Sequence, residues 1–282
     1  MLITPKTERF FASEKQKTPL LVVDLSVIAK KYRLFKRVFP QARSYYAVKA
    51  NSAEPVLRRL ESVNASFDVA SVGEIESCLA VGVNPSRISF GNTIKKQKDI
   101  AKAYSLGVRL FAFDSLEELQ KIKIEANGAK VFCRIAVSEV GAKWSFSEKF
   151  GCSDELAIEL MLKAKSDGLK PCGISFHVGS QQEDQSQWKL ALAKAGKIFT
   201  QLSKSGISLD ILNIGGGFPV SYRDSVPDIG DLAYSIDVWT KKIFGSMKPA
   251  IMLEPRRSIA AEAGVLRSEV ILVAKKDLNS IN

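Results

Sequence analysis

The chain has 282 residues, 46% of them apolar and 25% charged, with 41 Lys and Arg against 30 Asp and Glu for a formal charge of +11. That balance is ordinary for a soluble globular protein and excludes a disordered or fibrous chain. The length suits two average domains or one α/β barrel of about 250 residues, and a core of that size needs no disulfide support.

The first predicted element is a strand over Leu20–Leu25, followed by a helix over Ser26–Phe39. Eight short β-branched or apolar runs then alternate with amphipathic segments. They are Tyr45–Lys49, Phe67–Ala70, Ile88–Gly91, Leu110–Phe113, Val131–Val137, Gly173–Val178, Ile211–Ile214 and Ala250–Glu254. Helical spacing fills the intervals, for example Pro55–Ser62, Gly73–Val81 and Ser153–Asp167. Strand and helix repeated eight times predict an α/β fold, a parallel sheet closed as a (β/α)8 barrel of the TIM type, over an open doubly wound sheet. The expected division is an N-terminal strand and helix over 1–39, a barrel over 40–262 and the first strand of a further, truncated domain over 263–282. That last strand, Val265–Ala274, shows no partner to its C-terminal side, and association through its edge is expected.

Several function classes fall away. No stretch approaches the roughly 18 uninterrupted apolar residues of a membrane span. The N-terminus has no apolar segment ahead of a small-residue cleavage site, so a cytoplasmic protein is expected. Cys78, Cys133, Cys152 and Cys172 form no C-x-x-C pair, and one His leaves no zinc pattern, so reduced thiols and no metal are expected. The Lys and Arg residues are scattered, and the densest run, Lys95, Lys96 and Lys98, lies in a helix-start pattern. The charge therefore reads as a solvated basic surface and not as a nucleic-acid site.

The chemically unusual residues collect at the carboxyl ends of the predicted strands, the end where barrels of this type place their active sites. Lys49 ends the first, Asp68 lies in the second, Asn92 follows the third, and Arg134 is within the fifth. His177 is near the end of the sixth, Gly215, Gly216 and Gly217 follow the seventh, and Glu254, Pro255, Arg256 and Arg257 close the eighth. Glycines let the backbone approach an anion closely, and phosphate sites in such barrels are commonly built by the seventh and eighth loops. A Gly-rich tight turn is the alternative, and the two arginines favour phosphate. Lys49 is either a strand-end lysine reaching solvent or an amine of lowered pKa that forms a Schiff base. A phosphate site and such a lysine on one face suggest pyridoxal 5′-phosphate, with Glu254 opposite its pyridine nitrogen. His177 is either a hydrogen-bonded core side chain or a ring stacked on a flat cofactor.

The motifs YYAVKAN, FDVASVGEIE, ISFGNTIKK, KFG, GISFHVGSQ, NIGGGFP and LEP-x-R together resemble the pyridoxal-phosphate-dependent ornithine/lysine/diaminopimelate/arginine decarboxylase family, whose barrel is similar to that of alanine racemase. The resemblance runs from about Leu20 to Ala274 and is nearest to bacterial ornithine or lysine/ornithine decarboxylases. It implies that Lys49 is the Schiff-base lysine, that His177 stacks on the cofactor ring and that Glu254 faces the pyridine nitrogen. It also implies phosphate contacts from Ser180, Gly215, Gly216, Gly217 and Arg257, with Asp68 and Arg134 lining the cofactor site. The implied reaction is decarboxylation of a basic amino acid, L-ornithine to putrescine or L-lysine to cadaverine, in polyamine biosynthesis. A racemase of similar fold places an Arg at the ring nitrogen, so Glu254 favours decarboxylation.

Two departures from the pattern stand out. Family members continue into a β-domain that carries a Cys, an acidic residue and a Tyr of the site, the first two reaching the partner's site in a head-to-tail homodimer; this sequence ends as that domain would begin. The eighth loop usually reads Glu-Pro-Gly-Arg, and here Arg256 replaces the Gly. Arg256 would carry strain if the backbone there needs a positive φ, or would add a phosphate contact through its guanidinium. The alternatives to a decarboxylase are a pyridoxal-phosphate-binding barrel without turnover and an inactive partner of a full-length homologue.

Overall fold

The computed structural model describes residues 3–13, 17–144, 149–222 and 224–274. Eight parallel strands close into a barrel in the order β10-β11-β2-β3-β4-β5-β6-β8. They are β2 (Ala42–Ala47), β3 (Ser66–Val69), β4 (Ile88–Phe90), β5 (Leu110–Phe113), β6 (Lys130–Arg134), β8 (Lys170–Ser175), β10 (Ile211–Asn213) and β11 (Ala250–Leu253). Every one of the eight predicted runs supplies one of them. β3, β4 and β5 are buried at every position, as strands covered by helices outside the barrel and by one another's side chains inside it must be. The outer helices are α3 (Glu54–Glu61), α4 (Val72–Ala80), α5 (Gln97–Ser105), α6 (Leu116–Glu125), α7 (Asp154–Ser166), α8 (Ser186–Lys204) and α9 (Ile229–Phe244).

The core lies in two shells. Tyr45, Leu110, Ala112, Phe132, Cys172 and Met252 form one buried cluster, drawn from five barrel strands. A larger cluster packs strands against helices and includes Phe67, Phe90, Phe111, Phe113, Trp188 and Phe199. The strand-to-helix turns are set locally. Ser71, Ser115 and Ser153 each cap the following helix, accepting from the backbone N–H of Glu74, Glu118 and Leu156. Glu74 reaches back past the cap, its Oε2 accepting from the Ala70 amide at 2.6 Å. Such caps fix where each helix starts, and therefore how far each strand end projects.

Outside the barrel, β1 (Leu20–Val23) precedes α2 (Leu25–Val38), whose first turn is capped by Asp24. A short helix, α1 (Pro5–Ser13), lies before them. β12 (Gly264–Arg267) follows a four-residue helix, α10 (Arg257–Ala260). β12 pairs antiparallel with β1, Leu20 opposite Arg267 and Val23 opposite Gly264. This corrects the reading of Val265–Ala274 as a strand without a partner: its partner lies at the other end of the sequence. The strand also stops at Arg267. Val270, Ile271, Leu272 and Val273 are 75–94% exposed and belong to no strand. Apolar alternation makes a strand only where a neighbour accepts its backbone hydrogen bonds. A second ribbon, β7 (Ala142–Trp144) against β9 (Ser180–Gln182), lay outside the sequence reading and carries Ser180. Cys78, Cys133, Cys152 and Cys172 are free and buried. No helix among the described residues is long and apolar enough to cross a membrane.

Candidate active site

The strand ends bring Lys49, Asp68, Arg134, His177, Glu254 and Arg256 around one small cavity of about 80 Å³, with Asn92 and Phe150 at its wall. Lys49 and Arg256 also line a wider cleft of about 570 Å³ that continues outward to Tyr222 and Arg257. The predicted residues therefore converge, although they are spread over more than two hundred positions of sequence.

Lys49 is not in a strand. The parallel ladder ends at Ala47, whose amide donates to the Pro255 carbonyl at 3.3 Å, and Lys49 sits in the single 3-10 turn Val48–Ala50, exposed at the cleft. The YYAVKAN run misled because the buried positions stop one residue before the lysine. The turn aims the amine into the opening, where a ligand can reach it.

Glu254 follows β11 and is fixed by a residue that the sequence reading missed. Asn213, fully buried at the end of β10, donates from Nδ2 to Glu254 Oε1 at 2.6 Å. Its Oδ1 accepts from the Gly215 amide at 2.9 Å, a local Asx turn that starts the triglycine loop. An Asn just before a Gly-rich turn was the available signal. The glycines are needed for closeness: a Cβ on Gly217 (φ +94) would stand 2.4 Å from the Gly179 carbonyl oxygen, and one on Gly216 2.7 Å from that of Glu254.

His177 accepts at Nδ1 from the Gly179 amide at 3.0 Å, which places its proton on Nε2. Burial, with the Arg134, Arg256 and Lys49 charges, holds its pKa well below the usual range, so the ring is neutral at pH 7. Arg134 ends β6 with its guanidinium 5.1 Å from the Phe150 ring centroid. Burial lowers its pKa, and the charges of Glu254 and Asp114 work against that. Gly91 is packed so closely on Asp68 that a Cβ there would lie 2.0 Å from Asp68 Oδ1.

Asp68 is 5% exposed, and its Oδ1 has no hydrogen-bond partner among the described residues. Burial, and then the Glu254 charge, push its pKa well above the ordinary value of 3.8, against the pull of Lys49 and Arg134. A carboxyl whose folded pKa is raised contributes stability that is present below the unfolded value and lost as pH rises through the folded value. Asp68→Asn is therefore expected to be more stable than the parent at pH 7 and equal to it near pH 3. Urea melts at both pH values check this; equal stabilities at pH 7 would contradict it.

Arg256 is the one departure that the structure resolves. Its φ of −120° is ordinary for any L-residue, so no left-handed strain is stored there. Its Nη2 donates to Ser180 Oγ at 3.3 Å, and Arg257 Nη1 donates to the Tyr222 hydroxyl at 3.4 Å.

The family model described as the pyridoxal-dependent decarboxylase, pyridoxal binding domain, matches residues 25–261. The chain belongs to this family. The cofactor is accordingly pyridoxal phosphate, and the residues fit it. An Asn-held carboxylate suits a ring nitrogen, the neighbouring guanidinium groups of Arg256 and Arg257 suit a phosphate, and the exposed lysine amine opens onto the cavity that the carboxylate lines. Among relatives, the chain is 34% identical to decarboxylase flvG of Aspergillus flavus over 253 residues, 90% of this chain and 58% of that one. It is 34% identical to the lysine/ornithine decarboxylase of Selenomonas ruminantium, over 90% of this chain and 64% of that one. The chain thus spans about three-fifths of the length of these curated relatives. A solved lysine/ornithine decarboxylase of Vibrio vulnificus, complexed with cadaverine, is similar with a TM-score of 0.88 and 30% identity, covering 98% of this chain and 74% of that one.

Proposed function

We propose that this family member uses pyridoxal phosphate to decarboxylate a basic amino acid, L-ornithine to putrescine or L-lysine to cadaverine, as a step of polyamine biosynthesis. The observation that carries the reading is a carboxylate: Glu254 shares its cavity with Lys49 and His177. Bound pyridoxal supplies an electron sink for the pair left behind when a carboxylate departs as carbon dioxide. The sink is strong only while the ring nitrogen keeps a proton, and Glu254, oriented by Asn213, is the group to hold it there. Lys49 would hold the cofactor through its amine. His177, kept neutral, offers a flat face that adds no charge beside the ring. Ser180, Gly215, Gly216, Gly217 and Arg257 hold the phosphate, and Asp68 and Arg134 set the field at the inner wall. The relatives named above, two of them lysine/ornithine decarboxylases, support a basic substrate. The same reading places the chain in the cytoplasm, as a homodimer or in association with a longer homologue.

The test is incubation of the purified chain with pyridoxal 5′-phosphate, reduction with borohydride, and mass spectrometry of the peptide carrying Lys49. Carbon dioxide and diamine are then assayed with L-ornithine and with L-lysine. A stable adduct on Lys49 with release of putrescine or cadaverine is expected. An adduct without turnover on either amino acid would make the chain a cofactor-binding barrel, and no adduct would end the proposal.

A further inference from the structure

Arg256 stands where three strand ends meet. β8, β10 and β11 are neighbours in the barrel, β10 in the middle. The triglycine loop follows β10, Ser180 lies beyond β8, and Arg256 follows β11. The hydrogen bond from Arg256 Nη2 to Ser180 Oγ therefore joins the two loops that flank the triglycine segment. Among the described residues, Arg256 and Lys49 line both the inner cavity and the outer cleft.

The lining around it is mostly cationic. Among the described residues, the lining of the two spaces carries four cations, Lys49, Arg134, Arg256 and Arg257, and two carboxylates, Asp68 and Glu254. Like charges gathered around one space repel, and an anion brought among them gains what their mutual repulsion costs. The contact that Arg256 makes with Ser180 is to a neutral hydroxyl, at the long end of hydrogen-bond range. A phosphate monoester near pH 7 carries about 1.5 to 2 negative charges, and hydrogen bonds to it are about twice as strong as neutral ones. A guanidinium presents two parallel N–H groups to such an anion, which an ammonium cannot do.

We propose that Arg256 is a clasp that sets the selectivity of this site for a phosphorylated ligand, exchanging its Ser180 hydroxyl for the ligand's phosphate. This rests on the reading of the site as a pyridoxal phosphate site, and deepens it: Ser180, the glycines and Arg257 make the cradle, and Arg256 decides how strongly the cradle prefers the phosphate ester over the free alcohol.

Titration calorimetry on the full chain, with pyridoxal 5′-phosphate, unphosphorylated pyridoxal and inorganic phosphate as separate probes, tests it in the parent and in Arg256→Gly and Arg256→Lys. Gly removes the fork without steric demand; Lys keeps the charge and loses the fork. The ratio of pyridoxal phosphate affinity to pyridoxal affinity is expected to fall at least tenfold in Arg256→Gly. Arg256→Lys should recover only part of the loss, and inorganic phosphate should weaken in parallel. An unchanged ratio in Arg256→Gly would overturn the proposal, and so would tighter binding of pyridoxal phosphate, which would make Arg256 a plug. If the parent forms no adduct on Lys49, the cofactor reading fails on its own, while the inorganic phosphate titrations still decide whether Arg256 holds an anion. Circular dichroism melts confirm that each variant is folded.

Discussion

Lys49→Ala is expected to give a folded protein with no borohydride-trappable pyridoxal adduct and with any decarboxylase turnover reduced by about a thousandfold or more. Lys49 is exposed in the 3-10 turn after β2 and carries none of the barrel's packing, so its loss leaves stability within about 0.5 kcal/mol of the parent. The effect on chemistry is large because a covalent hold on the cofactor orients its reactive carbon, and removal of a covalent or proton-transfer group commonly costs 10²–10⁴ in rate. Steady-state assays with both diamino acids, beside thermal melts, separate the two effects. An Ala variant that still yields a reduced adduct elsewhere, with turnover intact, would remove Lys49 from the site.

The second large effect concerns stability and sits behind the site. Lys95, whose side chain is fully buried, pairs with Glu118 Oε1 at 2.9 Å, and Glu118 Oε2 also meets Lys121 at 2.5 Å. Lys95 Nζ donates to the Asn92 carbonyl at 2.8 Å and to the Ala112 carbonyl at 2.6 Å. The pair thus pins the loop after β4, which carries Gly91 and Asn92 to the cavity wall. Burial pushes the Lys95 ammonium down to about 8, with Glu118 resisting. Glu118→Gln removes the counter-charge and leaves a buried cation, which costs about 3–5 kcal/mol and roughly 10 °C in Tm. The sign with pH follows. A lysine whose folded pKa lies below its unfolded value binds fewer protons when folded, so its contribution to stability rises with pH between about 8 and 10.5. The Glu118→Gln penalty is therefore full near pH 6 and shrinks as the parent also loses the Lys95 proton above pH 8. Urea unfolding at pH 6 and pH 9 checks both the size and the trend; a penalty below 1 kcal/mol at pH 6 would show that the pair is not holding the loop.

This lysine also shows where a sequence reading stops. Lys95, Lys96 and Lys98 read as one solvated run, yet Lys95 is 4% exposed while Lys96 and Lys98 face solvent. Its partner Glu118 is 23 residues away on α6, and nothing local announces the pair.

The sequence by itself determined the eight barrel strands, because strands covered on both faces must be short apolar runs and the helices between them must be amphipathic. It also marked the candidate residues, since a lysine, a lone histidine, a triglycine and an acid–arginine loop all fall at the carboxyl ends of predicted strands, the face where such barrels place their sites. Tertiary structure decided the rest. β12 found its partner in β1, some 240 residues earlier, because backbone groups pair in space and not along the chain. Asn213 became the holder of Glu254 only once β10 and β11 lay side by side. The backbone at Arg256 took an unstrained φ, and its guanidinium reached Ser180 across a neighbouring loop. Each of these depends on which strand ends are adjacent, and adjacency is fixed by barrel closure, a non-local event that local pattern foretells in kind but not in contact.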